Sequence, residues 1–170
     1  MNIARLLRPE LILLELTTHD LPEEERAEIP MDQYIWQIKS KVMEELADLV
    51  ARSNRVSNRN KLYQDLLNRE RKATTGLASG VAIPHVRTIY AKEFLIGFAR
   101  STPGVEFDCL DGAPAHLFFV MVAPPYDDTS YLRLYRQLAE AFSARDLRAE
   151  FMAARDEGEI LRVVKRMGQS

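Results

Sequence analysis

The sequence predicts an α/β sandwich, and three observations carry that expectation. Two helical apolar periodicities lie between residues 32 and 71. Short apolar and aromatic runs, punctuated by Pro, Gly and Asp, fill the region between 81 and 122. Helical periodicity then returns and runs to the C-terminus. Helices on both sides of a β-rich centre are the pattern of a sheet that buries its faces against helices.

Along the chain, Leu11–Leu16 is either a short strand or the end of a helical turn; six residues do not decide. HDLPEEERAEIP, residues 19–30, is acidic, carries two prolines and reads as a loop. From Asp32 the apolar residues Ile35, Ile38, Val42, Leu46 and Leu49 recur at spacings of three and four. That spacing predicts a helix to about Arg52, with Asp32 as its N-cap. Ser57 opens a second helix through Leu62, Leu66 and Leu67, ending near Arg71. Val81–Ile83, Phe94–Ala99 and His116–Val122 read as strands, and GVEF (104–107) has strand alternation. STPG (101–104) and LDGAP (110–114) are turn signals. APPYDDTS (123–130) is a loop ending in helix caps, followed by a helix carrying Leu132, Tyr135, Leu138 and Phe142. Asp146 and Glu157 open two short helices, the second bearing Ile160, Val163 and Val164. Neither repeats nor low-complexity tracts interrupt the pattern, so residues 1–170 are expected to form one domain.

Composition sets limits on function. Hydrophobic residues make up 46%, charged residues 28%, and the net charge is −2, so no strongly basic or acidic partner is indicated. The uninterrupted apolar part of the N-terminal stretch is Leu11–Leu14, too short for a secretory segment, and no run approaches the ~20 residues of a membrane span. A cytoplasmic location without membrane insertion is expected. The single Cys109 allows neither a disulfide framework nor a CxxC site, and reads as a buried or turn-adjacent structural cysteine. His19, His85 and His116 stand at least 31 residues apart with no Cys partner, so no metal site is expected. His116 reads as a strand-end histidine with one satisfied hydrogen bond. Residues 52–72 hold seven basic side chains against Asp65 and Glu70, the pattern of a solvated helix face; nucleic-acid binding is the lesser alternative and is not expected.

The segment TTGLASGVAIPHVRT (74–88) is the candidate site. Its glycines fit neither G-x-G-x-x-G nor the P-loop pattern, so no nucleotide cofactor is indicated. Small residues nevertheless let backbone N–H groups approach an anion. Val81–Ile83 then presents His85 behind Pro84, whose ring fixes φ beside the histidine. Histidine titrates near neutrality, and its neutral ring is a nucleophile. From these residues alone His85 is either a nucleophile or a structural histidine.

The run RERKATTGLASGVAIPH (69–85) resembles the signature of the fructose/mannitol/nitrogen-type enzyme IIA domain of the bacterial phosphotransferase system, most closely its nitrogen-regulatory branch. That pattern reads R-E, four or five residues, then T-G-[IL]-G-x-G-[IV]-A-[IV]-P-H. Arg69, Glu70, Thr75, Gly76, Gly80, Ala82, Pro84 and His85 match it without a gap. GVEFDCLDGAPAHLFFVMVAP (104–124) and LRLYRQLAEAF resemble the family's downstream strand block and helix. The resemblance implies a central mixed β-sheet flanked by helices on both faces. It implies that His85 accepts a phosphoryl group from phospho-HPr, that Arg69 neutralises it, and that the loop with Thr75, Gly76, Ser79 and Gly80 forms a backbone bed beneath it. It further implies onward transfer to an enzyme IIB subunit, or control of a transporter or kinase, without cofactor or metal. Two positions depart from the pattern: Tyr131 stands where the family commonly has a second histidine, and Ala78 replaces the loop's second glycine. A non-catalytic interaction module of the same fold is the alternative those departures suggest.

Overall fold

The computed structural model describes residues 2–167. Its elements are α1 (Ile3–Leu6), β1 (Ile12–Leu13), α2 (Glu23–Arg26), α3 (Met31–Ala51), α4 (Arg59–Lys72), β2 (Val81–Ala82) and β3 (His85–Arg87), followed by β4 (Leu95–Val105), β5 (Ala115–Ala123), α5 (Asp128–Ala141), α6 (Arg145–Ala153) and α7 (Glu157–Met167). The strands form a single mixed sheet in the order β1-β4-β5-β2, with β3 also paired to β5. Among these strands β4 and β5 pair antiparallel and the remaining pairs are parallel.

Alternation along β4 and β5 divides the core into two layers. Gly97 and Val120 face α3: a Cβ on Gly97 would lie 2.9 Å from Val120 and 3.2 Å from Leu49. Their neighbours Phe98 and Phe119 point the other way, into an aromatic cluster with Phe142 and Phe151 at centroid distances of 4.9–5.7 Å. Helices therefore cover both faces, α3 with α4 beside it on one and α5–α7 on the other.

Several local expectations are corrected. The acidic segment 19–30 contains the single turn α2, started by Pro22 and supported by Glu23, Glu24 and Glu25 at its N-terminus and Arg26 at its end. Pro30, not Asp32, occupies the N-cap position of α3, without a side-chain capping bond; Asp32 lies in the first turn, where a carboxylate complements the helix dipole. Asn58, not Ser57, caps α4, accepting from the Lys61 N–H. Leu11–Leu16 holds both alternatives, since a 3₁₀ turn over Pro9–Leu11 leads directly into β1. The turn signal STPG lies inside β4, where the register jumps between Arg100 and Val105 opposite Leu117 and Ala115. Gly104 adopts φ +82° there, and a Cβ on it would strike the His116 ring at 2.7 Å.

A buried ion pair ties α3 and α4 to the loop before β2. Lys39 of α3 donates to Glu70 of α4 at 2.7 Å and to the Thr74 hydroxyl at 2.9 Å. The remaining Glu70 valences accept from the Thr75 N–H (2.9 Å) and Thr75 hydroxyl (2.7 Å). Removing one member leaves the other charge buried and unpaired, at a cost of about 3–5 kcal/mol. Lys39→Ala is expected to lower the urea-derived unfolding free energy by about that amount; a loss under 1 kcal/mol, the scale of an exposed pair, would contradict this role.

Candidate functional site

The site is built on the edge strand. Val81 pairs with Leu117 and Ala82 with Phe118, while His85 pairs with Met121 and Val86 with Val122. The register offset is unchanged across the gap, so β2 and β3 are one strand interrupted at Ile83–Pro84. Pro84 has no N–H to give the sheet, and its carbonyl accepts from Met121 at 2.9 Å. On the side of the strand away from β5, the Ile83 N–H donates to the Thr75 carbonyl at 3.0 Å. The Ile83 carbonyl thereby faces the His85 ring, with Nδ1 2.6 Å away.

That contact fixes the tautomer. A carbonyl only accepts, so Nδ1 carries the proton and Nε2 keeps its lone pair. Nε2 points at Arg69 Nη2, 3.4 Å distant, and a guanidinium only donates. Arg69 is held in turn by its Nη1 donating to the Ala73 carbonyl at 2.9 Å, at the end of α4. Burial pulls the His85 imidazole below its ordinary value. The Ile83 hydrogen bond opposes that shift, Arg69 reinforces it and Glu70 opposes it. The ring is therefore neutral near pH 7, with Nε2 available.

Helix α5 supplies the opposite wall. Tyr131 and Tyr135 lie four residues apart on one helix face, with ring centroids 5.9 and 4.6 Å from that of His85. Burial pushes the Tyr131 hydroxyl up to about 12, against the opposing fields of Arg87 and Arg69, so it remains a neutral donor. Arg87 follows His85 by two residues on the same strand face; it pairs with Asp128 and sits 5.3 Å from the Tyr131 ring centroid. Between these walls lies an open groove of about 700 Å³, lined by Arg69, Lys72, His85, Arg87, Thr88 and Tyr131 among others.

The residues expected to surround a phosphate thus separate into two groups. His85, Arg69 and Tyr131 meet in the groove. Thr75 is buried against Glu70, and Gly76 packs where a Cβ would lie 2.8 Å from Cys109 Sγ and 2.9 Å from its Cα. Ser79 (φ +62°) donates its N–H to Asp111, and the Gly80 carbonyl accepts from His116 and Leu117. Gly80 therefore lies five strand positions from His85, roughly 16 Å at ~3.3 Å per residue. The glycine loop shapes the start of β2 and does not line the groove with His85.

Tyr135 and Arg87 were missed although their spacing from Tyr131 and His85 places them on the same helix and strand faces. Of the basic run, Arg59 pairs with Asp48 and Glu44, Arg55 pairs with Glu93, and Arg71 stacks on Trp36. His116 Nδ1 lies 3.1 Å from the Ser101 carbonyl, at the other end of β5 from His85. Cys109 is buried, and that burial raises its thiol to about 11. Among the described residues no cluster of three or more His, Cys, Asp or Glu is placed to hold a metal, and no helix is long and apolar enough to cross a membrane.

Fold and site together define a domain that displays one neutral imidazole nitrogen to an anion-attracting groove at a sheet edge. Residues 28–167 match the family model described as "Phosphoenolpyruvate-dependent sugar phosphotransferase system, EIIA 2", and the chain belongs to this family. It is 34% identical over 116 residues to the PTS system fructose-specific EIIA component of Haloferax volcanii, covering 68% of this chain and 75% of that protein. It has the same identity and coverage with the nitrogen regulatory protein of Pseudomonas aeruginosa. It spans 20% of the length of the Bacillus subtilis fructose-specific EIIABC component, at 29% identity over 126 residues. Among solved structures, nitrogen regulatory protein IIA-Ntr from Neisseria meningitidis superposes with a TM-score of 0.80 at 26% identity, covering 95% of this chain and 98% of that one. The mannitol enzyme IIA of Escherichia coli, solved in complex with phosphorylated enzyme IIB, shares the fold at a TM-score of 0.71 and 16% identity, covering 95% and 99% of the two chains.

The tautomer has a direct readout. Long-range ¹H–¹⁵N correlations are expected to show His85 protonated at Nδ1 and titrating below about 6.5, the ordinary value. Because the folded value is depressed, the unfolded chain binds more protons between the two values. Stability is then lost as pH falls from about 6.5 through the folded value. An Nε2–H tautomer at pH 7 would contradict the geometry.

Proposed function

We propose that the protein is a phosphoryl carrier of the phosphoenolpyruvate-dependent phosphotransferase system, accepting its phosphoryl group on Nε2 of His85. The observation that carries this reading is the His85 ring held by Ile83 through Nδ1–H, with its free Nε2 turned toward Arg69 in an open groove. In the step, the Nε2 lone pair attacks phosphorus of a phosphohistidine on an HPr-type donor. The donor's P–N bond breaks, its imidazole leaves with the electron pair, and Nδ1 of His85 keeps its proton. Such transfers depend on in-line positioning and charge neutralisation more than on covalent help from the protein. Arg69 offers a planar guanidinium suited to phosphoryl oxygens. An open groove, with Ile89 exposed on its lining, suits a donor and acceptor that are themselves proteins.

From His85 the group passes to an enzyme IIB subunit, or its presence signals to a regulated transporter or kinase. The fructose and nitrogen-regulatory relatives are equally identical to this chain, which favours neither outlet. On this reading the reaction is cytoplasmic, where phosphoenolpyruvate charges the donor. Tyr131 motivates a second reading, an interaction module with impaired phosphotransfer, because a neutral phenol stands where the resemblance expects a histidine.

Incubation with phosphoenolpyruvate, enzyme I and HPr is expected to give an acid-labile, base-stable label that His85→Ala abolishes. Arg69→Ala is expected to slow labelling by about 10²-fold while leaving the circular dichroism spectrum unchanged. Absence of label on the wild-type chain with several HPr donors would sink the carrier reading. Label retained without delivery to any enzyme IIB would favour regulation.

A further inference from the structure

Arg69 is a single guanidinium, and a phosphoryl group on His85 brings close to two negative charges. Tyr131 adds none, since its hydroxyl stays protonated across the physiological range. The groove holds another cation on the same strand face as the nucleophile. Arg87 is two residues beyond His85, so the two side chains project to one side of β3 and into the same groove. Its guanidinium lies 5.3 Å from the Tyr131 ring centroid, and that ring in turn lies 5.9 Å from the His85 ring. Tyr131 therefore stands between nucleophile and guanidinium as a flat surface along which the cation can move.

We infer that Arg87 is the second phosphate-binding cation of the site, moving from Asp128 to the phosphoryl oxygens when His85 is phosphorylated. This rests on the carrier reading of His85.

The contact it leaves is easily given up. Arg87 and Asp128 are 43% and 66% exposed, and an exposed pair of this kind is weak. Asp128 does not lose all stabilisation on release, because it occupies the first turn of the 14-residue α5, whose N-terminus favours a carboxylate. The phosphoryl oxygens offer the guanidinium a doubly charged, bidentate partner in place of one exposed carboxylate. Arg87 thus has a resting position and a reacting position, and Asp128 competes with the phosphoryl group for it. The arrangement replaces a titrating second histidine by a permanent charge, so charge supply to the transferring group does not vary with pH.

The test measures initial labelling rates of wild type, Arg87→Ala, Arg87→Lys and Asp128→Asn with two donors, phospho-HPr and the small donor phosphoramidate. His85→Ala serves as the unlabelled control, and thermal melting checks each fold. Arg87→Ala is expected to slow labelling about 10- to 100-fold with both donors, with partial recovery in Arg87→Lys. Asp128→Asn is expected to label at least as fast as wild type, because the competing carboxylate is gone. Wild-type labelling with an unchanged Arg87→Ala rate would overturn the inference while leaving the carrier reading intact. A loss confined to phospho-HPr would assign Arg87 to protein docking and also overturn it. An Asp128→Asn variant as slow as Arg87→Ala would show that the pair itself is required and overturn the exchange. An unlabelled wild type would instead remove the reading on which the inference rests.

Discussion

The buried contact between Lys39 and Glu70 is the constraint on which the site's geometry depends. It lies between α3 and α4, and its carboxylate also accepts both the N–H and the hydroxyl of Thr75. A carboxylate taken out of water needs all of its lone pairs engaged, so Glu70 determines three positions at once. It holds α4 against α3, it holds the chain leaving α4 against the core, and it presents the Thr75 carbonyl to the Ile83 N–H. Arg69, one residue earlier, is rotated about a third of a turn around the helix and emerges at the groove while Glu70 points inward. Adjacent residues in the sequence therefore divide their work, one anchoring the helix end and the other facing His85.

From that anchor the edge strand inherits its interruption. The Ile83 N–H lies on the side of the strand away from β5 and is bonded to Thr75, and Pro84, the next residue facing β5, has no N–H to give it. The sheet register survives because the Pro84 carbonyl still accepts from Met121. The Ile83 carbonyl is left for the His85 ring, and this one contact selects which nitrogen is free. The edge position has a second consequence. Only at the margin of the sheet can α4 from one layer and α5 from the other reach the same side chain, so Arg69 and the two tyrosines converge there. A histidine on a central strand would be enclosed within one layer and inaccessible to a protein partner.

Much of this was legible in the sequence, to differing depth. The helix from Asp32 to about Arg52 and the helix carrying Leu132, Tyr135, Leu138 and Phe142 follow from apolar residues at spacings of three and four, and the structure holds α3 and α5 there. The Val81–Ile83 strand presenting His85 behind Pro84 and the Arg69–His85 association were expected, the second from the resemblance alone; that pairing resumes at His85 as β3 was not. What was not legible depends on contacts distant in sequence. Glu70 looks like one more charge in a basic helix until Lys39, 31 residues earlier, is placed against it. The loop Thr75–Gly80 suggests a phosphate bed because its composition suits one. Its glycines instead answer to Cys109 and His116, whose close approach no local pattern announces. STPG suggests a turn, yet the chain stays in β4 there and only shifts register, because β5 keeps pairing on either side of it.

The electrostatics of the site follow from the same arrangement. Burial and the Arg69 charge both disfavour protonation of His85, so the site holds a neutral imidazole beside a guanidinium that makes no ion pair among the described residues, while the groove's Asp65 accepts from the Thr88 hydroxyl. Glu70, the nearest carboxylate by sequence, is turned into the core and saturated by Lys39 and Thr75. Had Glu70 faced the groove, it would have neutralised Arg69 and raised the imidazole's proton affinity, removing both the anion attraction and the free lone pair. The buried pair thus acts on the chemistry by keeping a negative charge away from it. Its cost in desolvation is met in the core, and the consequence is expressed at the sheet edge, where a neutral imidazole nitrogen and the Arg69 guanidinium stand together.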